Sequence, residues 1–133
     1  MSMQSSITFN PKAKRKRVGK PIILCGGDKG GVGKSVIARL IAAWLRRHAY
    51  LIHGFDGDAR NAHLERYYGD SCIIERHYLR RDDGWANFFH GLEASAADEV
   101  LLVDLPGNIG DALEREMARI HLMAQAFDRA LIH

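Results

Sequence analysis

The stretch PIILCGGDKGGVGKSVIARLIAAWLRRH, residues 21–48, holds three kinds of pattern in succession. PIILCG, 21–26, is a continuous apolar run, as expected of a strand buried on both faces in a parallel sheet. KSVIARLIAAWLRRH, 34–48, has Val36, Ile37, Leu40, Ile41, Trp44 and Leu45 at helical spacing, which predicts that these six face the core. Arg46, Arg47 and His48 close the helix, where cations suit its dipole. Between the two lies GGDKGGVGKS, 26–35. A strand, a glycine loop and a helix in that order make an anion site, because free backbone N–H groups and the helix dipole both favour negative charge.

The loop has the residues for phosphate. Gly30, Gly31 and Gly33 permit a tight path and close backbone approach, with Val32 between them. Lys34 is placed to reach β- and γ-phosphates, and Ser35 to hold Mg²⁺ through its hydroxyl. The strict pattern G-x-x-x-x-G-K-[ST] would need glycine at position 28, where this chain has Asp28. It also carries a second lysine, Lys29, which on the residues alone is either a solvated loop charge or a further phosphate contact.

The remaining patterns alternate strand and helix. AYLIHGF (49–55) reads as a strand ending at DGD, and NAHLERYY (61–68) as a short helix. Residues 69–81 are ambiguous. DDGWANFFHGLE reads as a helix with an Asp cap, facing inward through Trp85, Phe88, Phe89 and Leu92. EVLLVDLPG (99–107) is another buried strand running into a Pro-Gly turn. DALEREMARIHLMAQAF is a helix with Leu113, Met117, Ile120, Ala124 and Phe127 inward, and RALIH begins a further strand. The alternation predicts a three-layer α/β fold with a mostly parallel sheet. Asp56 and Asp58 follow one strand and Asp104 ends another, and strand C-terminal ends are where such sheets gather ligand groups. Asp56 has two readings: part of that site, or a cap for the next turn.

KGGVGKS, 29–35, resembles the deviant Walker A motif of the ParA/MinD superfamily of P-loop ATPases. D-x-D at 56–58 and D-x-P-G at 104–107 resemble that superfamily's next two motifs, in order. The resemblance covers residues 20–133 and implies a P-loop NTPase fold that binds ATP and Mg²⁺ and dimerises around the nucleotide. It implies that Lys29 crosses to the phosphates held by the other subunit. Asp58 would position the attacking water near the metal, with Asp56 in support. Asp104 would bind Mg²⁺ through water, and Pro106-Gly107 would begin a switch segment. FDGDARNAH, LERYYG and GWANFF also look like a narrower group, the TraL/MobD-like proteins of plasmid conjugation and mobilisation. The superfamily fold continues past its Walker B helix. The resemblance therefore implies a C-terminally incomplete fold lacking the base pocket, with weak nucleotide binding, poor ATP/GTP discrimination and little hydrolysis.

Composition bounds the rest. A chain of 133 residues, 47% hydrophobic and 26% charged, is one globular domain with no apolar run long enough to span a bilayer. It begins without a secretory signal, which predicts a cytoplasmic protein. The formal charge is +3, yet residues 12–20, KAKRKRVGK, hold six Lys/Arg and no acid. Without them 13 basic residues face 16 acidic ones. Residues 1–19 therefore read as a basic disordered tail: a solvated arm, a non-specific contact for nucleic acid through 12–20, or a string that looks like a nuclear-localisation signal. Cys25 reads as a buried core thiol. The seven histidines show no metal-ligand spacing, and His53 and His63 read as surface or filler.

The leading expectation is an ATPase switch acting in plasmid partition or conjugal transfer, with a homodimer and a transfer or partition protein as partners. A non-hydrolysing nucleotide-binding module that docks a DNA-transfer protein is the alternative. A small-molecule kinase or GTPase on the same scaffold is a third, disfavoured by Lys29.

Overall fold

The computed structural model describes residues 19–26, 32–58 and 62–133, the side chains of 32–35 excepted. Among the described residues five strands and four helices alternate: β1 (Gly19–Cys25), α1 (Val32–Arg47), β2 (Leu51–Asp56), α2 (His63–Tyr68), β3 (Ile73–Arg76), α3 (Asp82–Ala94), β4 (Glu99–Asp104), α4 (Gly110–Ala126) and β5 (Arg129–Ile132). The strands form one sheet in the order β3-β2-β4-β1-β5, with every pairing parallel. The mixed α/β expectation holds as an all-parallel five-stranded sheet with helices on both faces. Residues 1–18 of the expected tail lie outside the described residues, and Gly19, counted with it, instead begins β1. Among the described residues no helix is long and apolar enough to cross a membrane.

Period-two alternation divides the strand side chains between two cores. Ile22, Leu24, Phe55, Leu101 and Val103 pack with α3 and α4. Cys25, Ile52, Val100 and Leu102 pack with α1 and with Leu64 of α2. Cys25 is the buried thiol expected of it. β4 lies at the centre, and four of its residues, Val100–Val103, are 1% exposed or less, which is why its sequence is an unbroken apolar run.

The structure corrects several local expectations. β3 was not legible: at four residues and with two of them exposed, it is an edge strand with only half of its pattern facing a core. Asp82 does not cap α3; Arg81 occupies the cap position in extended backbone, and Asp82 and Asp83 lie in the first turn. Phe127 sits at the end of α4 and is exposed, while Leu113, Ile120 and Ala124 face the core. The largest correction is α1. Its buried residues are Ala38, Ala42 and Leu45, and Ile37, Leu40 and Trp44 point outward at 54%, 63% and 54% exposure. Two alanines let the helix backbone sit close to the sheet, whose surface there already carries Ile52, Val100 and Leu102.

Candidate functional site

A parallel sheet brings all its strand ends to one edge. The register sets Cys25 beside Asp104, Asp104 beside Asp56 and Asp56 beside Arg76. Neighbours in register point to the same face, so both carboxylates share the α1 side of the sheet. The backbone beyond the strands is stitched together. Leu105 N–H donates to Cys25 O at 2.9 Å, Gly57 N–H to Asp104 O at 2.8 Å, and His77 N–H to Asp56 O at 2.9 Å. Gly26 has φ of 90°, a left-handed conformation that glycine adopts without strain, and it turns the chain out of β1. At Gly57 a Cβ would stand 2.9 Å from Asp104 O, Leu79 Cδ1 and Pro106 Cδ. Glycine is what lets the start of the Asp58 loop lie against the start of the Pro106-Gly107 turn.

The two acids of this row have different surroundings. Asp56 is fully buried and accepts the backbone N–H groups of Leu64 at 3.0 Å and Glu65 at 2.9 Å, at the free N-terminal end of α2. The capping alternative of the sequence reading is therefore realised: Asp56 ties α2 to the end of β2. Burial pushes its carboxyl above the ordinary value of 3.8, and the neighbouring Asp104 adds to the rise, against the two N–H bonds. Asp104 is 3% exposed, and Asp58, two residues past the strand, is partly open to solvent.

Of the sequence-derived loop, Lys29, Gly30 and Gly31 lie outside the described residues. Val32, Gly33, Lys34 and Ser35 form the first turn of α1, and Lys34 and Ser35 thus stand where a helix has unpaired backbone N–H groups. Among the described residues there is no group of three or more His, Cys, Asp or Glu set to hold a metal ion. A cation at this edge would draw on Asp104 with phosphate and water oxygens, the oxygen-rich and water-keeping environment that Mg²⁺ takes.

A polar cluster on the opposite face was missed. His53 is buried in β2, with Nε2 at 2.6 Å from Glu75 Oε2 and Nδ1 at 3.3 Å from Glu99 Oε1. His77 Nε2 lies 2.8 Å from the other Glu75 oxygen. Ser95 Oγ donates to Gly91 O at 2.7 Å and lies 3.1 Å from His53 Nδ1. His53 stacks on Phe55 at 4.7 Å, so it is neither surface nor filler: it links β2, β3, β4 and the end of α3. A histidine inside the otherwise apolar run LIHGF was the available signal.

No family model matches the chain, and no solved structure gives a significant match to it. The chain is 31% identical over 85 residues to Protein MobD of Acidithiobacillus ferrooxidans. That alignment takes in 64% of this chain and spans 37% of the relative's length, a little over a third of it. The similarity agrees with the TraL/MobD-like group that part of the sequence resembles.

Proposed function

We propose that the chain binds the phosphates of ATP with Mg²⁺ in the loop 29–35 and works as a nucleotide-dependent switch of ParA/MinD type in plasmid mobilisation. One observation carries the reading. The register sets Cys25 beside Asp104 and Asp104 beside Asp56, so the strand ends from which the three candidate motifs depart are neighbours at one edge of the sheet, and this supports the reading. The C-terminal strand edge of an open parallel α/β sheet is where ligand groups gather, and these three motifs carry the residue types that a Mg-nucleotide needs.

In this reading the backbone N–H groups of the loop and the first turn of α1 hold phosphate oxygens, and Lys34 adds a charge-assisted contact. Ser35, and Asp104 through water, would hold Mg²⁺, which would supply neutralisation of the phosphate charge. Asp58, partly open to solvent at the site's rim, orients the attacking water. Lys29 supplies a cation to the nucleotide of a second copy, which makes the dimer depend on the bound triphosphate. Asp56 acts at a distance from the phosphates, by fixing the α2 end of the Asp58 loop. Similarity to Protein MobD supports the mobilisation context and leaves the chemistry to the loop residues.

The test is phosphate release and sedimentation with a non-hydrolysable ATP analogue. Lys29→Ala is expected to bind nucleotide as a monomer and to lose the nucleotide-dependent dimer. Asp58→Ala is expected to keep binding and lose turnover, because water orientation matters to the transition state and little to ground-state affinity. Wild-type protein that stays monomeric with the analogue would remove Lys29 from the partner's site. Equal turnover by Asp58→Ala and an active wild type would remove Asp58 from catalysis.

A further inference from the structure

The outward face of α1 is unusual for a helix packed on a sheet. Ile37, Leu40 and Trp44 are all more than half exposed, and helical spacing adds Arg47 to the same face. At the helix end Trp44 stacks on His48 at 4.1 Å and lies nearly parallel to Tyr50, 6.1 Å between centroids. Lys20 Nζ stands 5.5 Å from the Tyr50 ring centre. Along the flank toward α2, Arg39 covers Tyr67 at 4.4 Å and Arg46 faces Tyr68 at 5.8 Å. Arg46 and Tyr50 then pass into a hollow of about 350 Å³, where Leu51, Cys72 and Ile73 complete the apolar wall.

Charge is distributed unevenly around this corner. α1 contains Lys34, Arg39, Arg46 and Arg47 and no acid. The basic run 12–20 ends at Lys20, so six Lys/Arg lead in sequence to the ring cluster, while the rest of the chain has more acids than bases. Glu99, which also lines the hollow, accepts the Ala96 N–H at 2.8 Å and, with Asp98, acts electrostatically on the Arg129 cation. The corner lies at the N-terminal end of β1 and the C-terminal end of α1, at the opposite edge of the sheet from the phosphate loop.

We propose that this corner is a binding site for single-stranded nucleic acid. Lys20, Arg39, Arg46 and Arg47 meet the phosphates, and exposed rings, Trp44 first among them, take unstacked bases. Rings interleaved with cations are the composition that single strands select, because every unpaired base offers a ring face for stacking. A duplex keeps its bases stacked inside and would use the cations alone. The site gives the basic run a partner of stated chemistry, and it works without the nucleotide loop.

The probe is a 15-nucleotide oligo(dT), titrated into the full chain while tryptophan fluorescence is followed. Trp85 is 3% exposed, so quenching reports Trp44. Binding with quenching is expected; for the Trp44 variants, which lack that reporter, affinity is read from the anisotropy of end-labelled oligo(dT), and Trp44→Ala should weaken it about tenfold, the lower range for loss of one stacked base. Trp44→Phe should retain most of the affinity, which separates stacking from a folding defect. Arg46→Gln with Arg47→Gln should lower the slope of log K against log salt by about 1 to 2. The oligo(dT)·oligo(dA) duplex should bind more weakly. Absence of oligo(dT) binding, equal affinity of Trp44→Ala, or equal binding of duplex and single strand would each overturn the proposal. So would an acidic amphipathic helical peptide that quenches Trp44 where oligo(dT) does not, because it would make the corner a protein-docking face.

Discussion

α1 and α3 carry apolar residues at the same period and use them in opposite ways. α3 buries its large side chains: Trp85, Phe88, Phe89 and Leu92 are at most 3% exposed. α1 buries Ala38 and Ala42 with a single large residue, Leu45, and shows Ile37, Leu40 and Trp44 to solvent. The sequence pattern explains why only one was readable. Outside its apolar stripe α3 has only acidic, polar and small residues, so one face alone can bury large side chains in the core. α1 is apolar around more than half its circumference, and period alone does not say which part of that arc meets the sheet. Burial of large rings drives α3 onto the sheet; close backbone approach does so for α1. The large residues left over on α1 are then available for a partner.

The strongest way to break this contrast is to remove the core of α3. Phe88 packs edge-on against Phe55 at 5.4 Å and Trp85 at 5.6 Å. Phe88→Ala should cost about 3–5 kcal/mol in chemical denaturation. Gly84→Ala should be comparably severe, since its Cβ would meet the Tyr78 carbonyl, and no side-chain rotation relieves a backbone clash. If either leaves the midpoint unchanged, α3 is not seated as described.

Next in size is the buried face of α1. Ala38 is 0% exposed, and Ala38→Leu should destabilise by about 1–3 kcal/mol through overpacking. A neutral or stabilising outcome would mean that α1 has room to roll its larger residues inward.

Asp56 tests the seam between the α1 side and the strand ends. Asp56→Ala should cost about 1–2 kcal/mol, for the N–H groups of Leu64 and Glu65 lose their acceptor. Its pH signature has a definite sign. Burial raises the native carboxyl above 3.8, so between that unfolded value and the raised native one the folded state binds more protons. Through that window stability falls as pH rises, and above it the deficit is constant. Asp56→Ala should flatten this contribution, measured as the difference between the two proteins' denaturation midpoints across the acid range. A difference independent of pH would contradict the burial argument.

The smallest effect belongs to the outward stripe. Leu40→Ala should change stability by no more than about 0.5 kcal/mol, because the side chain leaves little contact behind. A loss of 2 kcal/mol or more, on the scale of a buried leucine, would show that Leu40 is covered in solution.

What could be read from the residues follows the same logic. β1 and β4 were legible because a strand buried in a parallel sheet writes a continuous apolar run, as in PIILC and VLLVD, and β2 because LIHGF is apolar apart from His53. β3 was not, since Ile73–Arg76 is short and half exposed at the sheet's edge. At the candidate site the glycine loop, Asp58 and Asp104 were legible as motifs, while the neighbouring ends of β1, β2 and β4 needed the strand register. Asp56 was ambiguous because a strand-end aspartate can serve a ligand or a helix, and only the Leu64 and Glu65 N–H groups distinguish the two. The His53–Glu75–His77 cluster was hidden because its members come from β2 and the unrecognised β3.

The central claim, a triphosphate site at the strand ends, rests on Lys34, and calorimetric titration of Mg-ATP into wild type and Lys34→Ala tests it most directly. The account predicts measurable binding by wild type and none by Lys34→Ala, with both proteins showing the same cooperative unfolding. Absence of heat with folded wild type, or equal affinity of the two proteins, would contradict it.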